Sequence, residues 1–246
     1  MAHPITKTIA AVLSLLACVV VAGCETIDFD NLPSGKFSGT LIVMWVGEGG
    51  KAGDGKFVFV PDPHNRLSFT RGAVSTPIVP GVMYTDGGSV PKVVQPFRGF
   101  NPWGYAPAYM VHDWIFTAHH CISDGKKDPA YLAMADINFY ESGVILGEAI
   151  QTLMAEKLVK KNDVAKFAIT TAVLSPVARN VWDAKRGVCD AAAVKPEHLR
   201  EIELAVPGST TEEARRRHID VEASVRTIRR PSNAVVVGRV SFDRQL

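Results

Sequence analysis

The 246-residue sequence has no marked excess of charge of one sign: 27 lysines and arginines stand against 25 acidic residues, a formal net charge of +2. A long basic tract interleaved with aromatics is also missing, so no nucleic-acid partner is expected. There is no internal repeat, no low-complexity segment, and no Gly-x-Ser-x-Gly elbow to support serine chemistry. Cysteine is scarce, with Cys18, Cys24, Cys121 and Cys189 the full set. The one local excess of charge, Arg215-Arg216-Arg217-His218 with Arg226, Arg229 and Arg230, is interleaved with Glu212, Glu213, Asp220 and Glu222 and reads as a solvated helix face.

What is present begins with Lys7 and the apolar run Ile9 to Ala22, broken only by Ser14 and too short for a mature membrane span. It reads as a secretory signal. Its end, Val21-Ala22-Gly23-Cys24, resembles the lipobox of bacterial lipoproteins, which implies cleavage before Cys24 and acylation of its sulfur. The alternative is an ordinary secretory signal followed by a chance cysteine. Acyl chains contribute about 0.8 kcal/mol per buried methylene, so a triacylated Cys24 would hold the chain on a membrane surface. Glu25 stands where inner-membrane retention signals usually carry aspartate, so the expected location is the outer membrane, facing the periplasm.

Removal of residues 1–23 leaves 223, and a hydrophobic content of 47% supports a real core. Short apolar runs broken by Gly, Pro and Asn predict strands at Gly39 to Val46, Lys56 to Val60, Leu67 to Thr70 and Ser75 to Tyr84. Beyond Pro102 the period changes, predicting a mostly buried helix from Tyr105 to Cys121 and a second from Pro129 to about Gly147, capped by Asp128. Further helical segments follow at Glu148 to Lys161 and from Asn162 to Ser175, where Pro176 interrupts. The expected fold is α+β: a small irregular β-sheet region, then an antiparallel helix hairpin and more helices. The domain reading is a signal peptide over 1–23, a lipid-anchored linker over 24–35, an α+β domain over 36–188, and a C-terminal extension over 189–246 with one frayed helix and a strand from Ala234 to Phe242.

With Cys18 removed and Cys24 acylated, Cys121 and Cys189 remain and could pair in an oxidising compartment. Such a bridge would be worth about 4 kcal/mol on the loop-entropy model, but sequence leaves open whether their Cα atoms approach.

Chemistry concentrates in Tyr84-Thr85-Asp86-Gly87-Gly88-Ser89-Val90-Pro91, then His112-Asp113 among Met110, Val111, Trp114, Ile115 and Phe116, then Asp136. Ionisable groups lose hydration among such neighbours unless they find partners. Adjacent helix positions diverge by about 100°, so His112 and Asp113 are expected to serve different roles. Asp136 and Tyr140, four apart on the second helix, would share a face turned towards His112. Asp86 and Asp113, with carbonyls of the Gly87 loop, suit calcium better than zinc. A transition-metal site of His112, Asp113 and His119 or His120 is disfavoured, because His119 lies about 10.5 Å along the helix axis. His119 and His120 read instead as helix C-terminal cations or exposed residues. Ser89 reads as a turn lock, and Tyr140 as a core residue or a source of a hydroxyl.

The span from about Phe57 to Val144 resembles a phage-associated and bacterial domain family of unknown function, through Thr85-Asp86-Gly87-Gly88-Ser89-Val90-Pro91, His112-Asp113 and Asp136. More loosely, about forty residues resemble secreted bacterial phospholipases A2, which join an Asp-Gly-x-Ser loop to a His-Asp helix. That resemblance implies Asp86, Gly87 and Asp113 as calcium ligands, His112 as general base and Asp136 as its orienting partner. The sequence departs from the phospholipase pattern at Gly88 and Tyr109, where that family usually has cysteine, and at Phe116, where it usually has tyrosine. The function expected is a calcium-assisted hydrolase on a membrane anchor, with phospholipid esters as substrate. The alternative is a non-catalytic envelope or phage-associated lipoprotein, in which the same side chains clamp a loop to the helices.

Overall fold

The computed structural model describes residues 27–28, 31–47, 55–72, 74–85, 102–160, 169 and 172–243. Strands come early and helices late, an α+β arrangement. β1 (Lys36–Ser38) pairs antiparallel with β4 (Ser68–Thr70). β2 (Thr40–Gly47) and β3 (Gly55–Pro61) form the centre of a four-stranded antiparallel sheet, with β5 (Met83–Thr85) outside β3. On the other side of β2 lies β6 (Ala234–Ser241), with a register irregularity between Val43 and Met44. Between β1 and β2 the chain bends at Gly39, whose φ of +85° and close approach to Arg66 O, 2.0 Å from where a Cβ would sit, admit only glycine.

The near-continuous apolar run of β2 has a structural cause: both faces of the sheet are covered. Leu41, Val43 and Phe59 join the main core with Phe37, Phe69 and the helices that follow. Ile42, Met44, Val46, Val58 and Val60 face a second core, built with Leu199, Ile202, Ala214 and Val221. Residues 189–246, read from sequence as an extension, therefore supply both the edge strand beside β2 and the cover for its second face. The strand expected at Ala234 to Phe242 is present as β6 at the sheet edge, and its partner β2 is almost two hundred residues away in the chain.

α1 (Ala106–Ser123) starts after a 3-10 turn at Pro102–Tyr105, with Pro107 where a missing N–H costs nothing, and ends before Gly125 at φ +84°. It is buried on most of its circumference. The second predicted helix splits. α2 (Pro129–Leu132) is one turn long, capped by Asp128 accepting from Ala130 N at 2.9 Å, and residues 133–136 then form turns. Asn138 accepts from Glu141 N at 2.9 Å and begins α3 (Phe139–Ala155), which runs through Gly143 and Gly147 without a break. The expected boundary at Gly147 is overridden because α3 packs along α1. Ser175 caps α4 (Pro176–Trp182), so Pro176 opens a helix instead of only interrupting one. α5 (Val188–Ala192), α6 (Pro196–Ala205), α7 (Thr211–Arg216) and α8 (Val221–Arg226) follow. Strand signals at Ser75 to Tyr84 reduce to β5 and a bridge at Ile78.

Cys121 and Cys189 form a disulfide, with Cα atoms 4.7 Å apart, linking the end of α1 to α5. Arg71 ties the chain after β4 to α3: its Nε and Nη2 donate to Glu148 at 2.7 and 2.9 Å and its Nη1 to Glu141 at 2.6 Å. Among the described residues no helix is long and apolar enough to cross a membrane.

Candidate functional site

α1 carries the candidate chemistry on its N-terminal half. The His112 ring is 7% exposed and stacks obliquely on Phe116 one turn later, centroids 4.8 Å apart. Phe116 meets Trp182 of α4 edge-on at 4.9 Å, so the histidine is seated on an aromatic cluster. Its Nδ1 lies 3.5 Å from Asp113 Oδ1, an electrostatic pair too long for a good hydrogen bond. Its Nε2 is buried and has no hydrogen-bond partner. The Tyr109 hydroxyl, one turn earlier, is likewise buried and unpartnered. Burial drives that phenol well above its ordinary range, and Tyr105 and the Asp113 carboxylate push further the same way. Two orphaned polar atoms on neighbouring turns are costly, on the order of 1–3 kcal/mol each, and native folds rarely leave such groups without a reason.

The backbone divergence from which separate roles for His112 and Asp113 were expected does not keep them apart: side-chain torsions bring the carboxylate back towards the ring. Asp136 does not take the orienting role. It is exposed, in the turn before the Asn138 cap, and among the described residues Asp113 alone places a carboxylate within ion-pair distance of His112. The reasoning from four-residue spacing fails because residues 133–136 are not helical. Tyr140, in the first turn of α3, is 37% exposed and turned to solvent; it is neither a core residue nor within the cluster. Asp86, Gly87, Ser89 and Cys24 lie outside the described residues.

Asp113 is the one expected calcium ligand that is described; its side chain is 30% exposed, an oxygen donor of the kind calcium takes. No three His, Cys, Asp or Glu side chains converge on a metal position among the described residues. His119 and His120 serve α4 instead. His119 stacks on Trp182 at 3.8 Å, with burial and then His120 lowering its pKa. His120 stands in the last turn of α1, as one of the two expectations had it, but is buried and not exposed, and its Nε2 lies 2.8 Å from Val181 O.

A cavity of about 300 Å³ opens on the other side of α1, lined by Trp114, Thr117 and Cys121 and closed by α7. Trp114 is about 200° around the helix from His112, so the two sites do not share a face. Arg216 of the supposed solvated face is instead 3% exposed at its side chain, its guanidinium 5.5 Å from both the Trp114 and Tyr131 ring centres. The missed signal was helical spacing: between charged Arg215 and Arg217, Arg216 falls on the inward side with Glu213 three residues before it.

No family model matches the chain, and comparison with curated proteins and with solved structures returns no match.

Proposed function

We propose that the protein is a lipid-anchored hydrolase of the bacterial envelope, held by acylated Cys24 at the outer membrane and acting on phospholipid esters. The reading rests on one observation: His112 has a buried, unpartnered Nε2 while its Nδ1 faces a carboxylate. A histidine so arranged can take a proton from water at Nε2 as the water adds to an ester carbonyl, and the Asp113 charge stabilises the imidazolium that forms. Asp113 thus replaces Asp136 as the orienting group. The Tyr109 hydroxyl is a donor within one helical turn, suited to an oxyanion. Calcium held by Asp86, Gly87 and Asp113 would supply Lewis-acid polarisation of the carbonyl.

The test is fatty-acid release from phosphatidylglycerol vesicles carrying the full-length protein, with calcium and with chelator, beside His112→Asn. Release that falls by about 10²-fold or more in the variant supports a general base. Equal release from both, or none from folded wild type, ends the hydrolase reading.

A second reading, a non-catalytic envelope or phage-associated lipoprotein, is favoured by the seating of His112 on an aromatic cluster with the cavity on the opposite side of α1. On that reading His112→Leu changes stability and nothing else.

A further inference from the structure

β6 (Ala234–Ser241) is an edge strand: among the described residues it pairs with β2 alone. Exposed edges of such length are usually blunted by proline or lysine, and residues 234–241 hold neither. Four of the ten large hydrophobic side chains exposed among the described residues fall on this strand instead, Val235, Val236, Val237 and Val240, at 40–54%. The register with β2 sets Val235 and Val240 on the face of Trp45 and Leu41, and Val236 and Arg239 on the face of Met44 and Ile42. The edge is therefore apolar and bare on both faces of the sheet. Val237 is the extra residue where the register shifts.

Both ends of the strand are pinned. Before it, Asn233 N donates to Glu201 at 2.7 Å; after it, Asp243 accepts from Gly39 N at 3.1 Å and from Asn65 Nδ2 at 2.6 Å. A strand held in this way has little freedom left to lose when it pairs.

The occupant that matches this edge is a second copy of it. When all eight residues pair antiparallel with themselves, Val235 falls opposite the partner subunit's Val240 and Val236 opposite the partner subunit's Arg239. Each pair comes from one face of the sheet, as cross-strand neighbours must. Arg239, the single charge on the strand, thus meets no like charge, and Asp62 of its own chain lies 3.8 Å away. Eight residues a side form about eight main-chain hydrogen bonds, within the range of about 5 to 15 that stable interfaces carry. The opposite edge is a poor rival: β5 is three residues long, and pairing β6 to it would build an open series of copies instead of a closed pair.

We propose that two copies of this chain join β6 to β6 across a two-fold axis, merging two four-stranded sheets into one continuous antiparallel sheet. The interface goes beyond the hydrolase reading and does not depend on it.

The test is sedimentation of the full-length protein in non-ionic detergent, at up to about 100 μM so that a dimer of micromolar Kd is populated, together with cysteine cross-linking. Val235→Cys/Val240→Cys sets thiols opposite each other between copies; within one copy, five residues of strand keep them about 16 Å apart, beyond disulfide reach. Val177→Cys, exposed on α4, reports on copies that merely share a micelle. The expected result is a wild-type dimer, a covalent dimer of Val235→Cys/Val240→Cys on mild oxidation, and at least about tenfold less cross-linking of Val177→Cys. Val235→Lys/Val237→Lys should sediment as a monomer with its melting temperature unchanged, because both side chains are more than half exposed. A monomeric wild type, a lysine variant that still dimerises, equal cross-linking at Val177 and on β6, or an open series of larger species overturns the proposal. Sedimentation decides alone if the cysteine variant does not fold, and cross-linking decides alone if the lysine variant does not.

Discussion

His112 Nδ1 and Asp113 Oδ1, on consecutive residues of one helix, lie 3.5 Å apart, while Asp136 stands exposed in a turn. The pair separates the roles of the two aspartates. In the vesicle assay Asp113→Asn should cost about 10²-fold or more, because the imidazolium loses its counter-charge. Asp136→Asn should leave the rate within about twofold, as befits a surface substitution. The reverse order would restore Asp136 as the orienting group.

The Cys121–Cys189 bridge closes a loop of 68 residues, for which chain entropy predicts about 4 kcal/mol of stabilisation. Urea unfolding of the Cys121→Ser/Cys189→Ser double variant should show a loss of that order. A loss under about 1 kcal/mol would mean that native strain or residual unfolded structure cancels the entropy.

Arg71 and Glu148 are a bidentate pair with side chains 16% and 3% exposed. Arg71→Met strands a buried carboxylate and should destabilise by about 3–5 kcal/mol. Removing both charges, in Arg71→Met/Glu148→Met, should recover most of that loss. A double variant as unstable as the single one would show that packing of the arginine stem carries the stability.

Two carboxyls give stability opposite slopes with pH. Glu201 accepts from Arg230 and from Asn233 N at 2.7 Å, and the Arg230 hydrogen bonds, followed by Asn233, hold its pKa below the ordinary range. Its contribution is complete above the unfolded value, about 4.3, and is lost as pH falls through the folded one. Glu213 is pushed the other way, chiefly by burial against the counter-pull of Arg216. Its contribution is complete below about pH 4.3 and is lost as pH rises through its raised value. Urea midpoints measured from acid to neutral pH should show Glu201→Gln losing ground to wild type as pH rises and Glu213→Gln gaining on it. Parallel curves for wild type and either variant would contradict the assignment.

Local signals in the chain were sufficient for what depends on neighbours. The apolar runs of β2, β3 and β6, the Asp128-Pro129 cap, the near-complete burial of α1 and the α+β class were all readable, because period and capping act over a few residues. The expectation of a secretory signal and lipobox rests on sequence alone, and Cys121 and Cys189 could be named as a pair without being shown to meet. Tertiary structure decided the rest. It placed β6 beside β2, a pairing across nearly the whole chain that only the two-sided burial of β2 hints at. It cut the predicted second helix at Leu132, which exposed Asp136, and turned Asp113 towards His112 through side-chain torsions no spacing rule specifies. It also folded Arg216 inward against two rings contributed by α1 and α2. Periodicity states which face of an element is buried; what that face meets is fixed by packing between segments remote in sequence.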